Sequence, residues 1–316
     1  MDFLYFLEKL RNPVCDAFFS LITQLGEETA FMAIAIIVFW CFDKYQGYFL
    51  LITGFVGTIF NQFLKMLFRV PRPWVKNPNF TVVKGSVEGA GGFSFPSGHT
   101  QTSVTLYGGI ARANGCKWLR ITMIALCVLI PFSRLYLGVH TPLDVGVSVF
   151  ISIALVFGGY PLFKRAETNK KLMCLIVLST LVLVVFYTLF VCLYNFPKEV
   201  YSEVNYHNLE SAKNNAFTLI GCSVGLIVVY FVDSKFIKFE VDAVWWAQIL
   251  KVVIGLGLVI ALKILLKSPL DNLFNGNLIA RSVRYFLMVV TAGAVWPLSF
   301  KWFSHFGKKH NKKHLE

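Results

Sequence analysis

Three short stretches hold the side chains able to do chemistry: Lys65-x6-Arg72-Pro73, Pro96-Ser97-Gly98-His99, and Ser133-Arg134-x5-His140-x3-Asp144. Their types suit the binding and cleavage of a phosphate ester without a metal. A planar Arg72 guanidinium can grip two phosphate oxygens at once, while Lys65 acts as a point charge. Pro71 and Pro73 stiffen the loop that aims Arg72. Phe95-Pro96-Ser97-Gly98-His99-Thr100 reads as a helix start, where first-turn N–H groups lack acceptors and attract anions. Gly98 removes the side chain that would hold a phosphate off the backbone. His99, one residue on, is placed to protonate a leaving-group oxygen.

The third stretch is also a helix start. Thr141 as N-cap, Pro142 at the first helical position and Asp144 two residues later approach a capping box, which is a sufficient structural account of Asp144. Ser97 has an equally ordinary reading as an N-cap, and Lys65 as a lysine extending from a span end. Those readings leave His140 and Arg134 unexplained. With His140 just before the helix and Asp144 one turn in, the carboxylate can meet Nδ1–H and leave Nε2 free to attack.

The elements that must carry these residues are membrane helices. The chain has 316 residues, 56% hydrophobic and only 15% charged, with 31 phenylalanines and a mean hydropathy of +0.63. Apolar runs recur near the roughly 20 residues needed to cross a bilayer. Spans are expected at 14–42, 46–68, 98–112, 118–137, 142–163, 172–194, 214–232, 246–266 and 283–303, with Gln24, Gly26, Glu27 and Glu28 dividing the first. A short interfacial helix precedes them over 2–10. Met1-Asp2-Phe3 lacks the basic region of a cleavable signal. The net charge of +13 sits in short loops and the tail, the positive-inside pattern, and not on a face for nucleic acid. Loops with Arg112/Lys117/Arg120 and Lys164/Arg165/Lys170/Lys171, and a tail with Lys308, Lys309, Lys312 and Lys313, are then cytoplasmic. All three motifs face outward, as expected of a protein in the plasma (cytoplasmic) membrane. Seven scattered cysteines without a C-x-x-C indicate neither a disulfide framework nor a zinc site. No metal site and no cofactor are expected.

Across 65–144 these motifs resemble the type 2 phosphatidic acid phosphatase (PAP2) superfamily at every defining position. The resemblance implies an all-α polytopic bundle with a six-helix catalytic core, here 1–168; about three additional spans (169–304) and a basic tail (305–316) lie outside that core, and the resemblance assigns them no role. It further implies metal-independent phosphatase chemistry. His140 would be the nucleophile, Asp144 its orienting partner and His99 the general acid. Lys65, Arg72, Ser97, Gly98 and Arg134 would bind phosphate.

A cationic cluster at span ends lies at head-group depth, so the expected substrate is a lipid phosphate or pyrophosphate entering sideways. Polyprenyl pyrophosphate, phosphatidylglycerophosphate, phosphatidic acid and a sphingoid phosphate all qualify. A lipid phosphotransferase, a sugar-phosphate phosphatase and a head-group transporter are the alternatives. Glu27, Glu28 and Glu88 read as boundary acids, and Lys251 and Lys263 as lysines reaching the interface.

Overall fold

The computed structural model describes residues 1–196 and 203–311, and every element in it is helical. The short helix α1 (Asp2–Lys9) is followed by α2 (Pro13–Gln24), α3 (Glu28–Cys41), α4 (Lys44–Phe68) and the single turn α5 (Pro73–Lys76). Next come α6 (Gly98–Ala113), α7 (Lys117–Tyr136), α8 (Pro142–Ala166), α9 (Lys170–Leu193) and α10 (Glu203–Val232). The chain ends with α11 (Trp245–Leu265), α12 (Lys267–Leu273), α13 (Ile279–Val290) and α14 (Phe300–Asn311). Residues 197–202 within the expected outer loop, and the tail residues Lys312 and Lys313, lie outside the described residues.

This is an integral membrane protein. Among the described residues, seven helices are long and apolar enough to cross a bilayer, or eight if α2 and α3 form one span bent by 49°. The break falls where Gly26, Glu27 and Glu28 divide the apolar run. The other expected spans correspond to these helices; at 98–112 the helix α6 forms as expected but is not among them. That helix is only 16 residues long, and its buried residues include Thr100, Gln101, Thr102, Ser103 and Thr105. Such a surface is hydrogen-bonded inside protein, not presented to lipid. The Thr102 hydroxyl donates to Gly26 O at 2.5 Å, and the Ser152 hydroxyl to Gln101 O at 3.2 Å.

The chain forms two compact units. The first comprises Met1–Met32, Phe49–Lys164 and Leu193–Ala212. In it α6 packs along α7, and α1 buries Leu4 and Leu7. A Cβ on Gly109 would fall 2.6 Å from Leu50 Cδ2, so this glycine sets how closely α4 and α6 approach.

The second unit comprises Ala33–Tyr48, Arg165–Cys192 and Lys213–Glu316. Here α10 and α13 touch at Gly221, where a Cβ would clash with Ser282 O. Small residues at such crossings allow the dense packing that drives association in lipid. Lys44 pairs with Asp233 at 2.8 Å. Lys251 does not reach an interface. It is fully buried, donates to Val241 O at 3.1 Å and lies 4.2 Å from the centroid of the Phe300 ring. An accessible backbone carbonyl and an aromatic face give the ammonium an internal home.

Candidate active site

The end of α7 shapes the site. Gly138 adopts φ +82°, a left-handed conformation that residues with a Cβ rarely adopt. A Cβ there would also come within 2.6 Å of Arg11 Nη2. Arg11 secures this turn from outside, its Nε donating to Tyr136 O at 3.1 Å and its Nη1 to Thr81 O at 2.8 Å. The turn delivers Val139 and His140 to the interior just before α8 begins.

Asp144, only 1% exposed, does two jobs there. Its Oδ2 accepts from Thr141 N at 2.7 Å while its own N–H donates to Thr141 Oγ1 at 3.3 Å, the reciprocal box that starts α8. The same Oδ2 accepts from the Ser94 hydroxyl at 2.6 Å and stands 3.6 Å from His140 Nδ1.

Arg72 saturates much of its guanidinium on this scaffold. Nε donates to Gly92 O at 3.0 Å, Nη2 to Gly91 O at 2.7 Å, and Nη1 to Val139 O at 2.9 Å. Nη1 also lies 2.9 Å from His140 Nε2. Nη1 lies 3.5 Å from Nδ1 as well; a guanidinium can only donate, so the shorter contact favours Nε2 as the unprotonated nitrogen, with Nδ1 on the side of Asp144. Burial, then the charges of Arg72, Arg134 and Lys65, hold the His140 imidazole well below the ordinary histidine value of 6.5.

Lys65 donates to Phe93 O at 2.6 Å. Arg134 is 2% exposed. Its Nη1 donates to Thr23 Oγ1 at 2.7 Å, whereas its buried Nε and Nη2 have no hydrogen-bond partner among the described residues. Lys65, Arg72, Gly98, His99, Arg134 and His140 converge on one cavity of about 380 Å³. A Cβ on Gly98 would meet only Asn61 Oδ1, at 3.8 Å, so the cavity extends to the backbone where α6 begins.

Two expected site residues stand behind this wall. Ser97 is fully buried and serves as N-cap, its oxygen accepting from Thr100 N at 3.4 Å and from the Thr100 hydroxyl at 2.9 Å. Asp144 lies behind His140, its Oδ2 3.6 Å from Nδ1. The cavity is also lined by residues not singled out for chemistry, Gln62 and the acids Glu27 and Glu28. Thr23 and Ser94 join as hydrogen-bond partners of Arg134 and Asp144. Gln62 and Thr23 lie within α4 and α2 and the others at a helix break or in a loop, and no spacing marks any of them. Among the described residues no group of three or more His, Cys, Asp or Glu is arranged to hold a metal ion.

The family model described as the PAP2 superfamily matches residues 44–168, which include every motif residue of this cavity. A second, described as the transmembrane extension of PAP2 superfamily phosphatases, matches residues 217–309. The chain belongs to the PAP2 superfamily. That second match runs from within α10 to within α14. The PAP2 relatives include undecaprenyl-diphosphatase BcrC of Bacillus subtilis (strain 168), 27% identical over 170 residues, covering 52% of this chain and 82% of that protein. Among solved structures, LpxE of Aquifex aeolicus aligns with a TM-score of 0.46 and 25% identity over 51% of this chain and 93% of that one. PAP2 membership makes this protein a membrane phosphatase.

Proposed function

We propose that the chain hydrolyses a lipid phosphate or lipid pyrophosphate at the extracytoplasmic face through a phosphohistidine on His140. The observation that carries this reading is the 2.9 Å contact of Arg72 Nη1 with His140 Nε2. That contact supports a lone pair on Nε2, the nitrogen that faces the cations, engaged by Arg72 until phosphate takes up the guanidinium hydrogen. The Nε2 lone pair attacks phosphorus as the P–O ester bond breaks, and His99, protonated once the bound phosphate offsets the neighbouring cations, gives its proton to the departing oxygen. Water, deprotonated by His99, then attacks phosphorus and the P–N bond breaks to release inorganic phosphate. Lys65, Arg72, Arg134 and the first-turn N–H groups of α6 receive the charge that develops on the equatorial oxygens. The cationic loops flanking α7 and α8 support an outward-facing site. BcrC, by its name, acts on undecaprenyl diphosphate, so a polyprenyl diphosphate belongs in the first panel of substrates.

Phosphate release by the purified protein, with EDTA present, from phosphatidic acid, a polyprenyl diphosphate and a sugar phosphate tests the reading. Release from the lipids that vanadate blocks is the expected result. Strong EDTA inhibition restored by a divalent ion would overturn it, and lipid consumption without released phosphate would favour a phosphotransferase.

Asp144→Asn is expected to lower kcat by about 10²–10⁴-fold with a smaller change in KM, because an amide supports the wrong tautomer. Loss of thermal stability with kcat intact would leave only the capping role.

The acid limb of kcat/KM should lie well below pH 6.5. A depressed pKa keeps Nε2 unprotonated as the pH falls through the ordinary histidine value. The associated stability is complete above that value and is lost as the pH drops towards the folded pKa. An acid limb centred on pH 6.5 would contradict the assignment.

A further inference from the structure

The turn that presents His140 is held by two arginines. From the cavity, Arg72 Nη1 donates to Val139 O at 2.9 Å. The other is Arg11, which stands between α1 and α2 and is not among the residues that line the cavity. Its Nε donates to Tyr136 O at 3.1 Å and its Nη1 to Thr81 O at 2.8 Å. One side chain thus ties the last residue of α7 to the 77–83 loop. That loop is bonded to the turn again one residue further on, where Val83 N donates to Leu137 O at 3.2 Å.

The third nitrogen shows what the arrangement is for. Arg11 Nη2 lies over Gly138, where a Cβ would come within 2.6 Å of it, and it is buried with no hydrogen-bond partner among the described residues. A buried donor left unmet is unfavourable, so stability alone does not account for where the guanidinium sits. Gly138, at φ +82°, has the freest backbone of the turn, and Arg11 occupies the space into which it would move. Any displacement of Gly138 passes to His140 through a single residue, Val139, which is fully buried. Glu8 and Asp16 are close enough to favour the Arg11 charge, which keeps it a local matter of this clamp.

We propose that Arg11 is a positioning residue for the nucleophile: by holding Tyr136 O and covering Gly138 it fixes where His140 Nε2 meets phosphorus. It acts through the turn and touches neither substrate nor reacting atoms. Arg11 precedes the 44–168 family match, so it is no part of what that model recognises. The assignment rests on the phosphatase reading above and extends its machinery to the segment between α1 and α2.

Misplacing a reacting atom by about 1 Å can cost on the order of 10²-fold in rate. The groups that hold phosphate have contacts of their own, such as Lys65 with Phe93 O, and do not depend on Arg11. Phosphate release from phosphatidic acid in mixed micelles, measured well below the melting temperature of every variant, tests the assignment. R11Q should lower kcat by about 10–10²-fold with KM and vanadate affinity within about twofold of wild type. R11K, which keeps one donor and the charge, should recover most of that loss, and it keeps the test open if R11Q folds poorly. Y5F is the control. It removes the bond from Asn77 Nδ2 to the Tyr5 hydroxyl at 2.6 Å, which joins α1 to the same loop without touching the turn, and should leave kcat within about twofold. A kcat unchanged in R11Q, a loss that appears in KM instead, or an equal loss of kcat in Y5F would overturn the assignment and leave the phosphatase standing. No phosphate release by the wild type, or release equal in His140→Ala, would remove the phosphatase reading itself.

Discussion

His140→Ala is expected to lower the rate of phosphate release by about four orders of magnitude while leaving phosphate or vanadate binding largely intact. The two effects separate because of how the site is assembled. His140 bonds to the phosphate only as the reaction proceeds, so its removal costs transition-state stabilisation and little ground-state affinity. The groups that hold an anion, Lys65, Arg72, Arg134 and the start of α6, are each fixed by other contacts. Arg72 in particular keeps its bonds to Gly91 O, Gly92 O and Val139 O. Truncation even frees the Arg72 Nη1 hydrogen that otherwise points at Nε2, so anion affinity should hold or rise slightly.

The same variant separates a phosphatase from a protein that only carries a phosphorylated lipid. A carrier needs the cations and has no use for a free imidazole lone pair. Lipid movement or binding unaffected in His140→Ala, with no phosphate released by either form, would rule against catalysis at this site. Residual release within tenfold of wild type would show that another group is the nucleophile.

Why the catalytic residues were legible in the sequence and the rest of the cavity was not follows from where each residue sits. Lys65, Arg72, His99, Arg134, His140 and Asp144 lie at helix ends or in the loops beside them, flanked by Pro, Gly and Ser that mark those boundaries. Local rules therefore put them near one face, and Gly138 and the Thr141–Asp144 box supply the turn. The residues that complete the cavity obey no such local rule. Glu27 and Glu28 look like boundary acids because a divided apolar run is most simply read as a membrane edge. They become cavity residues only once Gly26 is tied to α6. Ser94 reaches Asp144 across 50 positions of sequence, and Thr23 reaches Arg134 across 111. The surroundings of α6 have the same origin. Residues 98–112 form a helix as expected, but their threonines and serines bond to neighbouring chain, which hydropathy does not register. Lys251 repeats the lesson, since its ammonium turns back to Val241 O before α11 and meets the Phe300 ring from the far end of the second unit.

Arg134→Met is expected to lower kcat/KM by about 10²–10³-fold and at the same time to leave the substrate-free protein as stable or more so. The guanidinium is 2% exposed and makes one hydrogen bond, to Thr23 Oγ1. Its Nε and Nη2 are buried without a partner among the described residues. Each buried donor left unmet costs about 1–3 kcal/mol, and a methionine of similar length fills the space without that cost. Evolution has no structural reason to keep such a group, but a phosphate in the cavity supplies the missing acceptors. Ligand binding to the folded state alone raises stability by about 2.7 kcal/mol at a hundred times Kd. Vanadate should therefore raise the melting temperature of the wild type by more than that of the variant. The two curves should differ most with vanadate present and least without it. A variant that melts several degrees below wild type in the absence of any anion would make Arg134 a structural residue, its orphaned nitrogens satisfied by the fold and not by the substrate. If the variant instead matches wild type without vanadate and falls behind with it, Arg134 is held in an unfavourable state for the sake of the phosphate.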